Sequence, residues 1–285
     1  MKKQTLAIMV VVLVLLASSL ACGPAGFGVV YGSGRIDTET HALDNVTGVE
    51  LATFGDLTIT LGDKEELRIE AEDNLLPYFA VSTSGGQVRI DSRPNIVLRP
   101  AKPVRFYLTV KALDTIVLSG SGDITAPDLE AESIALTISG SGNVIVGNLE
   151  ATQITLRISG SGNLRAAECV ATGVDIRIGG SGDVDFAGLE AETLDLSVPG
   201  SGRLDIAAGK VTRQTITING SGDYRARNVD SDAVTVDIFG SGSVTLRANE
   251  SLDIHIAGSG DVAYTGRPSV DQRITGSGSI TRLGE

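Results

Sequence analysis

A Gly-Ser-Gly tripeptide returns every twenty residues through much of this chain. It starts at Gly120, Gly140, Gly160, Gly180, Gly200, Gly220 and Gly240, then at Gly258 and Gly276 with a spacing of eighteen. A fixed period of this length is the mark of stacked repeats, because each unit has an apolar face that it cannot bury alone. Before each tripeptide the residues alternate strictly, as in Ile134, Leu136, Ile138 or Val174, Ile176, Ile178. After it comes a shorter alternation such as Val144, Val146 or Val184, Phe186. Period two with β-branched residues specifies a strand buried on one face. A third apolar position follows at Leu129, Leu149, Cys169 and Leu189. Each unit therefore reads as a long strand, a Gly-Ser-Gly corner, a short strand and a second corner. The expected fold is all-β, a parallel β-helix or β-solenoid of about twenty-residue coils over 119–285. The shorter last two coils point to a changed corner. Glycine is expected at the corner because it reaches positive φ without a Cβ clash.

Residues 40–118 lack this period but remain β-rich, with alternation in Leu57–Leu61, Leu67–Ala71, Val88–Ile90 and Val104–Val110. They are expected to cap the first coil, whose apolar end and strand edge would otherwise be open. The order of motifs then carries a resemblance: Phe54-Gly-Asp-Leu-Thr-Ile59, Leu113-Asp-Thr-Ile-Val-Leu-Ser-Gly-Ser-Gly-Asp-Ile124, and iterated Ser-Gly-Ser-Gly-(Asp/Asn)-Val units. The chain resembles the bacterial auto-transporter adhesin head, or GIN, domain family over about residues 40–282. That resemblance implies a β-helix-like fold in secreted proteins and lipoproteins, with an adhesin label drawn from likeness of fold and no catalytic residues to carry over.

The first residues read as an address. Lys2 and Lys3 precede an apolar stretch from Leu6 to Leu20, too short to span a bilayer comfortably, and small residues follow. Residues 1–21 are expected to be a signal peptide, with Ser19-Leu20-Ala21-Cys22 resembling a bacterial lipobox. Its departure is Ser19, where the pattern favours leucine. Cys22 is then the expected lipid-attachment residue and membrane contact, and residues 22–39 a lipid-anchored flexible linker. The expected location is extracytoplasmic, at the cell membrane or surface.

Charge bounds the partners. The formal net charge is −12, and removal of Lys2 and Lys3 with the leader leaves −14. Phosphate backbones and anionic membrane surfaces repel such a chain as a whole, so nucleic acid is an unsuitable partner. A surface glycan or a protein remains open.

Catalytic chemistry finds little support. The residue after each tripeptide forms a column: Asp123, Asn143, Asn163, Asp183, Arg203, Asp223, Ser243, Asp261, Ser279. A calcium row is a poor fit, because no two aspartates occupy adjacent coils and Arg203 interrupts them; Asp and Asn suit turns by bonding nearby backbone. A second column, Thr137, Arg157, Arg177, Ser197, Thr217, Asp237, His255, runs along the outer face of the long strands. His255 with Asp253 and Asp237 is the one arrangement suggesting acid–base work, and it sustains an alternative reading as a β-helix carbohydrate-active enzyme, a polysaccharide lyase or hydrolase. Against it stand the acidity, the absence of tryptophan and the scarcity of aromatics, of which Phe239 is the one expected to be exposed. No Walker loop, dinucleotide fingerprint or Cys/His metal cluster occurs, so no cofactor or metal is expected. Cys169, in the column of Leu149 and Leu189, is expected to act as a small buried hydrophobe. The expectation is a non-catalytic cell-envelope lipoprotein, either an adhesin-like binding module or a structural one.

Overall fold

A computed structural model describes residues 28–284. The chain is an all-β solenoid, 64% strand, with one short 3-10 turn at Leu76–Tyr78. Consecutive coils pair in parallel and in constant register: Ile134 lies beside Ile154, Ile154 beside Val174, and Val174 beside Leu194. The inward residues form continuous apolar columns from Val49 to Val262, so one thin core runs the length of the stack. Cys169 lies in it between Leu149 and Leu189, fully buried.

The coil has one bend more than its sequence suggests. Buried positions fall at 134, 136 and 138, then 144 and 146, and the next coil starts on the opposite phase at Leu149 before returning at Ile154. Two adjacent exposed residues mark the extra bend, Glu132 and Ser133 in one coil, and the pairing ladder skips Glu132 there. The long strands Leu129–Ile138 and Leu149–Ile158 are thus bent rather than straight. In Leu164–Ile178 and Val184–Val198 the short and long strands merge into one run. The shortening to eighteen residues falls where the sequence put it, at a corner. Leu246 pairs with Ala226, twenty residues back, whereas Ser251 pairs with Ala233, only eighteen back.

The glycines serve a purpose other than the expected one. Among the motif glycines from Gly120 onward only Gly276 has positive φ (140°). What excludes a side chain is the neighbouring coil. A Cβ on Gly180 would lie 2.0 Å from the Gly160 carbonyl oxygen, and one on Gly182 would lie 1.9 Å from that of Gly162. Both obstacles are backbone. The same corner is stitched by serine amides: Ser161 N–H donates to Gly140 O, Ser181 to Gly160 and Ser201 to Gly180, at 3.0–3.1 Å. Close stacking of identical corners makes these bonds possible and leaves no room for a methyl group.

Residues 40–118 do more than cap. Gly48–Leu51 pairs in parallel with Thr115–Leu118 on one side and with Gln87–Ser92 on the other. Asp56–Leu61 likewise lies between Ile124–Ala126 and Arg105–Val110. Two coils without Gly-Ser-Gly are therefore present, stacked in the order 87–110, 48–61, 115–126, which is not their order in the chain. Thr53-Phe54-Gly55 holds the place of the tripeptide, since a Cβ on Gly120 would meet Thr53 O and one on Gly122 would meet Gly55 O. Antiparallel strands then end both stacks: Phe79–Ser84 on Gln87–Ser92, and Glu66–Glu72 on Arg105–Val110, with Ile36–Ala42 outermost. Three of the few aromatics pack here, Phe79 edge to face with Phe106 at 5.4 Å and tilted against Phe54 at 5.8 Å.

The flexible linker expected over 22–39 needs correction from residue 28 onward. Gly28–Tyr31 pairs in parallel with Ile96–Arg99, and Ile36–Ala42 is a strand. Between them lies a further Gly-Ser-Gly, Gly32-Ser33-Gly34, used as a clamp. Gly34 N–H donates to Glu72 Oε1 at 2.5 Å, Ser33 Oγ–H donates to Asp73 Oδ1 at 2.5 Å, and Arg35 pairs with Asp73 at 2.8 Å. Glu72 also accepts from the Ala101 and Lys102 amides at 2.8 and 3.3 Å. Desolvation pushes the Glu72 pKa upward, but these amides and the Lys102 charge together hold it below its usual 4.5. The Asp73 pKa is held below 3.8, first by the Ser33 hydroxyl and then, against desolvation, by the Asn74 amide and Arg35. Depressed carboxylate pKa values stabilise the fold above the unfolded-state values, and that contribution disappears as pH falls through the folded ones. Hydrogen exchange at the Gly34, Ala101 and Lys102 amides should therefore show full protection at neutral pH and loss of protection at pH values below about 4. Unchanged protection at pH 3 would contradict the clamp.

Candidate functional site: an acidic groove along the solenoid

The polar columns on most faces are satisfied by their neighbours. In the column after each tripeptide, every Asp or Asn side chain faces the coil that follows. Asn143 N–H donates to Asp123 Oδ1 at 2.7 Å, Asp183 N–H to Asn163 Oδ1 at 2.8 Å, and Arg203 N–H to Asp183 Oδ1 at 2.9 Å. The expected turn chemistry is thus intercoil: the acceptor reaches the backbone twenty residues on, not its own turn. Arg203 joins the row through its guanidinium, 2.7 Å from Asp183 Oδ2. No group of three His, Cys, Asp or Glu able to hold a metal occurs among the described residues. A second ladder, unnoticed in the sequence, links Asp128, Asn148 and Glu168 at the next corner. The identical twenty-residue spacing of these three residues was its available signal.

The outer-face column is as expected, with Thr137, Arg157, Arg177, Ser197, Thr217, Asp237 and His255 adjacent in register. His255 Nδ1 lies 3.5 Å from Asp237 Oδ1, and Phe239, half exposed, meets the imidazole edge-on at 5.7 Å. No hydrogen bond or ion pair brings Asp253 to His255. The register neighbours on either side are Asp237 and Arg273, so within its column the ring meets a carboxylate and a guanidinium and no hydroxyl or thiol. Cys169 is no alternative: burial, reinforced by Glu168, pushes its thiol up to about 12, so it is not a thiolate at physiological pH.

A buried polar trio was also missed. Tyr224 Oη–H donates to Gln214 Oε1 at 2.7 Å, and Gln214 Nε2 donates to Ser231 Oγ. All three stand in apolar columns, where Leu204, Leu194 and Val211 occupy the coil before. Burial pushes the Tyr224 phenol pKa up, partly opposed by the bond to Gln214. The sequence signal was Gln214 interrupting an otherwise apolar position.

A groove of about 1090 Å³ lies on the extra bend, running from Leu61, Lys111 and Leu113 at one end to Glu192 at the other. Its floor is a column of alanines, Ala131, Ala151, Ala171 and Ala191, each half-buried and directly stacked. Exposed carboxylates line it on both sides: Glu130 and Glu150 along one edge, Glu132 and Glu192 along the other. Some carboxylates elsewhere on the solenoid are paired, as in Arg165–Asp185, Arg225–Asp223 and Arg247–Asp230, while Asp175 and Asp195, stacked in register on another face, form no ion pair with a described residue. None of the four groove glutamates forms a salt bridge with a described residue. Glu130 and Glu150 are stacked in register, which places like charges one strand spacing, about 4.8 Å, apart. Such an arrangement attracts cations.

Comparison with known proteins now adds to this geometry. The family model for "putative auto-transporter adhesin, head GIN domain" matches residues 45–208 and 171–268. The chain belongs to the head GIN domain family. Solved structures agree on the fold. A protein described as a putative adhesin from Parabacteroides distasonis aligns with TM-score 0.67 and 17% identity, covering 90% of this chain and 100% of its own. Another, described as a putative adhesin from Parabacteroides merdae, aligns with TM-score 0.67 and 19% identity, covering 90% and 99%. A third, from Parabacteroides distasonis and described as a putative lipid binding protein, aligns with TM-score 0.62 and 22% identity, covering 90% and 99%. No curated protein matches the chain. The GIN family is described by adhesion rather than by a reaction, and an adhesin-like family points to the cell exterior. Cys22 and the expected signal peptide over 1–21 lie outside the described residues.

Proposed function

We propose that this GIN-domain chain is a non-catalytic binding module of the cell envelope, tethered by lipid at Cys22, which holds an extended basic polypeptide segment in its acidic groove. The observation that carries this reading is the run of unneutralised glutamates along a flat alanine floor. Alanine leaves space for a backbone to lie close, and the carboxylates on both edges are placed to meet Lys or Arg side chains. The groove lining contains no aromatic residue, which favours a peptide over a stacked sugar ring.

The test is a titration with a (Lys-Ala)5 peptide. Replacing Glu132, Glu150 and Glu192 by Gln together should weaken binding at least about tenfold and flatten its salt dependence, since the removed charges supply the attraction. Equal affinity in the triple variant and the parent would overturn the groove assignment. For the tether, the N-terminal peptide of the native protein should begin at Cys22 and carry diacylglyceryl by mass. An unmodified Cys22 would remove that part of the reading.

A further inference from the structure

The end of the solenoid nearest Cys22 has an outward face unlike the rest of the molecule. Gly28–Tyr31 and Ile96–Arg99 form their own two-stranded parallel sheet, apart from the main stack. Its inner positions, Val30 and Ile96, pack on the core, and Leu98 is buried there. The alternate positions therefore point away from the core: Val29 and Tyr31 on one strand, their partners Val97 and Arg99 on the other. Val29 is 50% exposed and Tyr31 72%, the latter the most exposed large apolar side chain described.

Charge on this end runs against the rest of the chain. Arg93, Arg99 and Lys102 are all exposed, and none forms a salt bridge with a described residue. The nearby carboxylates are spent, Glu72 on three backbone amides and Asp73 on Ser33, Asn74 and Arg35. A chain with net charge −12 thus ends in a small face that is apolar, aromatic and basic.

We propose that this face, Val29, Tyr31, Val97 and Arg99 with Arg93 and Lys102 around it, rests on an anionic lipid surface. The proposal builds on the Cys22 tether of the preceding reading. Five residues lie between Cys22 and Gly28, so Gly28 at the start of the face can lie no more than about 20 Å from Cys22. At that range its basic groups come within reach of lipid head groups, while the acidic coils beyond are repelled. Tyrosine beside arginine and small aliphatics suits the boundary between head groups and acyl chains.

The test separates the face from the tether. The chain from residue 22, with Cys22→Ser and a hexahistidine tag at its N-terminus, is held on vesicles by a nickel-chelating lipid, so attachment no longer depends on acylation. A fluorophore is placed at Ala101→Cys or, at the far end, at Ser269→Cys; buried Cys169 stays unlabelled. On vesicles of 30% phosphatidylglycerol, the Ala101 label should be shielded from aqueous iodide and the Ser269 label should not. Arg99→Glu with Lys102→Glu should reverse the shielding, and each basic charge removed should cost about fivefold in surface occupancy. Equal quenching at the two positions would overturn the proposal, even with Cys22 acylated in the native protein. Shielding at position 101 with an unmodified native Cys22 would sustain the face and remove the tether.

Discussion

Gly180→Ala should break the solenoid in the middle, whereas Gly179→Ala one residue earlier should leave it intact. A Cβ at position 180 would sit 2.0 Å from Gly160 O, with Ser159 O also within 2.6 Å. Neither atom can retreat, because the corner backbone is bonded above and below: Ser181 N–H donates to Gly160 O at 3.1 Å and Ser201 N–H to Gly180 O at 3.0 Å. Relief requires parting two coils, so the cost should be at least about 3 kcal/mol, at the upper end of overpacking. At position 179 the nearest obstacle is Ile158 O at 3.7 Å, an ordinary contact, and the same column holds Pro199, Asn219 and Phe239 in later coils. That substitution should change stability by less than about 0.5 kcal/mol. Because stacked repeats couple only to their neighbours, the damaged variant should unfold in two separated transitions, one for each side of the break. A single unshifted transition for Gly180→Ala would show that the coils are not packed as closely as described.

Tyr224→Phe should be nearly as informative. It removes only the hydroxyl, yet leaves Gln214 Oε1 without its donor inside the core. An unpaired buried amide oxygen costs about 1–3 kcal/mol, far more than the net value of the bond itself. Replacing the whole trio, Gln214→Leu with Tyr224→Phe and Ser231→Ala, restores the apolar columns of the preceding coil, where Leu194, Leu204 and Val211 stand. The triple variant should be within about 1 kcal/mol of the parent, or more stable. Urea midpoints for single and triple variants decide the matter. If the triple variant is as weak as Tyr224→Phe, the trio contributes packing rather than paired polar groups.

These two cases show what sequence could and could not say. The period-two runs, such as Ile134, Leu136 and Ile138, expose strand, face and stacking at once, because only one residue in two can enter a core this thin. The register followed from the constant spacing of the tripeptide. Its cause did not: a glycine held at positive φ and one pressed against a neighbouring carbonyl read alike as letters, and only the stack distinguishes them. The coils at 48–61 and 87–110 were hidden because Thr53-Phe54-Gly55 replaces Gly-Ser-Gly and their spatial order departs from chain order. Gly55-Asp56-Leu57, echoing Gly122-Asp123-Ile124, was the remaining trace. The groove was hidden for a different reason. Ala131, Ala151, Ala171 and Ala191 recur every twenty residues, but they lie at a bend that interrupts the alternation, so the spacing alone does not mark their column as a floor. Asp237 and His255, conspicuous in the sequence, meet on an open face with little around them.

The central claim is that the groove holds a basic segment and leaves it unchanged, and one measurement reaches it directly. The parent protein is titrated calorimetrically with (Lys-Ala)5 at low and physiological salt, and the peptide is recovered and weighed by mass spectrometry. The account predicts saturable binding that weakens as salt rises, with a recovered peptide of unaltered mass. Absence of binding at low salt, or a peptide returned cleaved or modified, would contradict it.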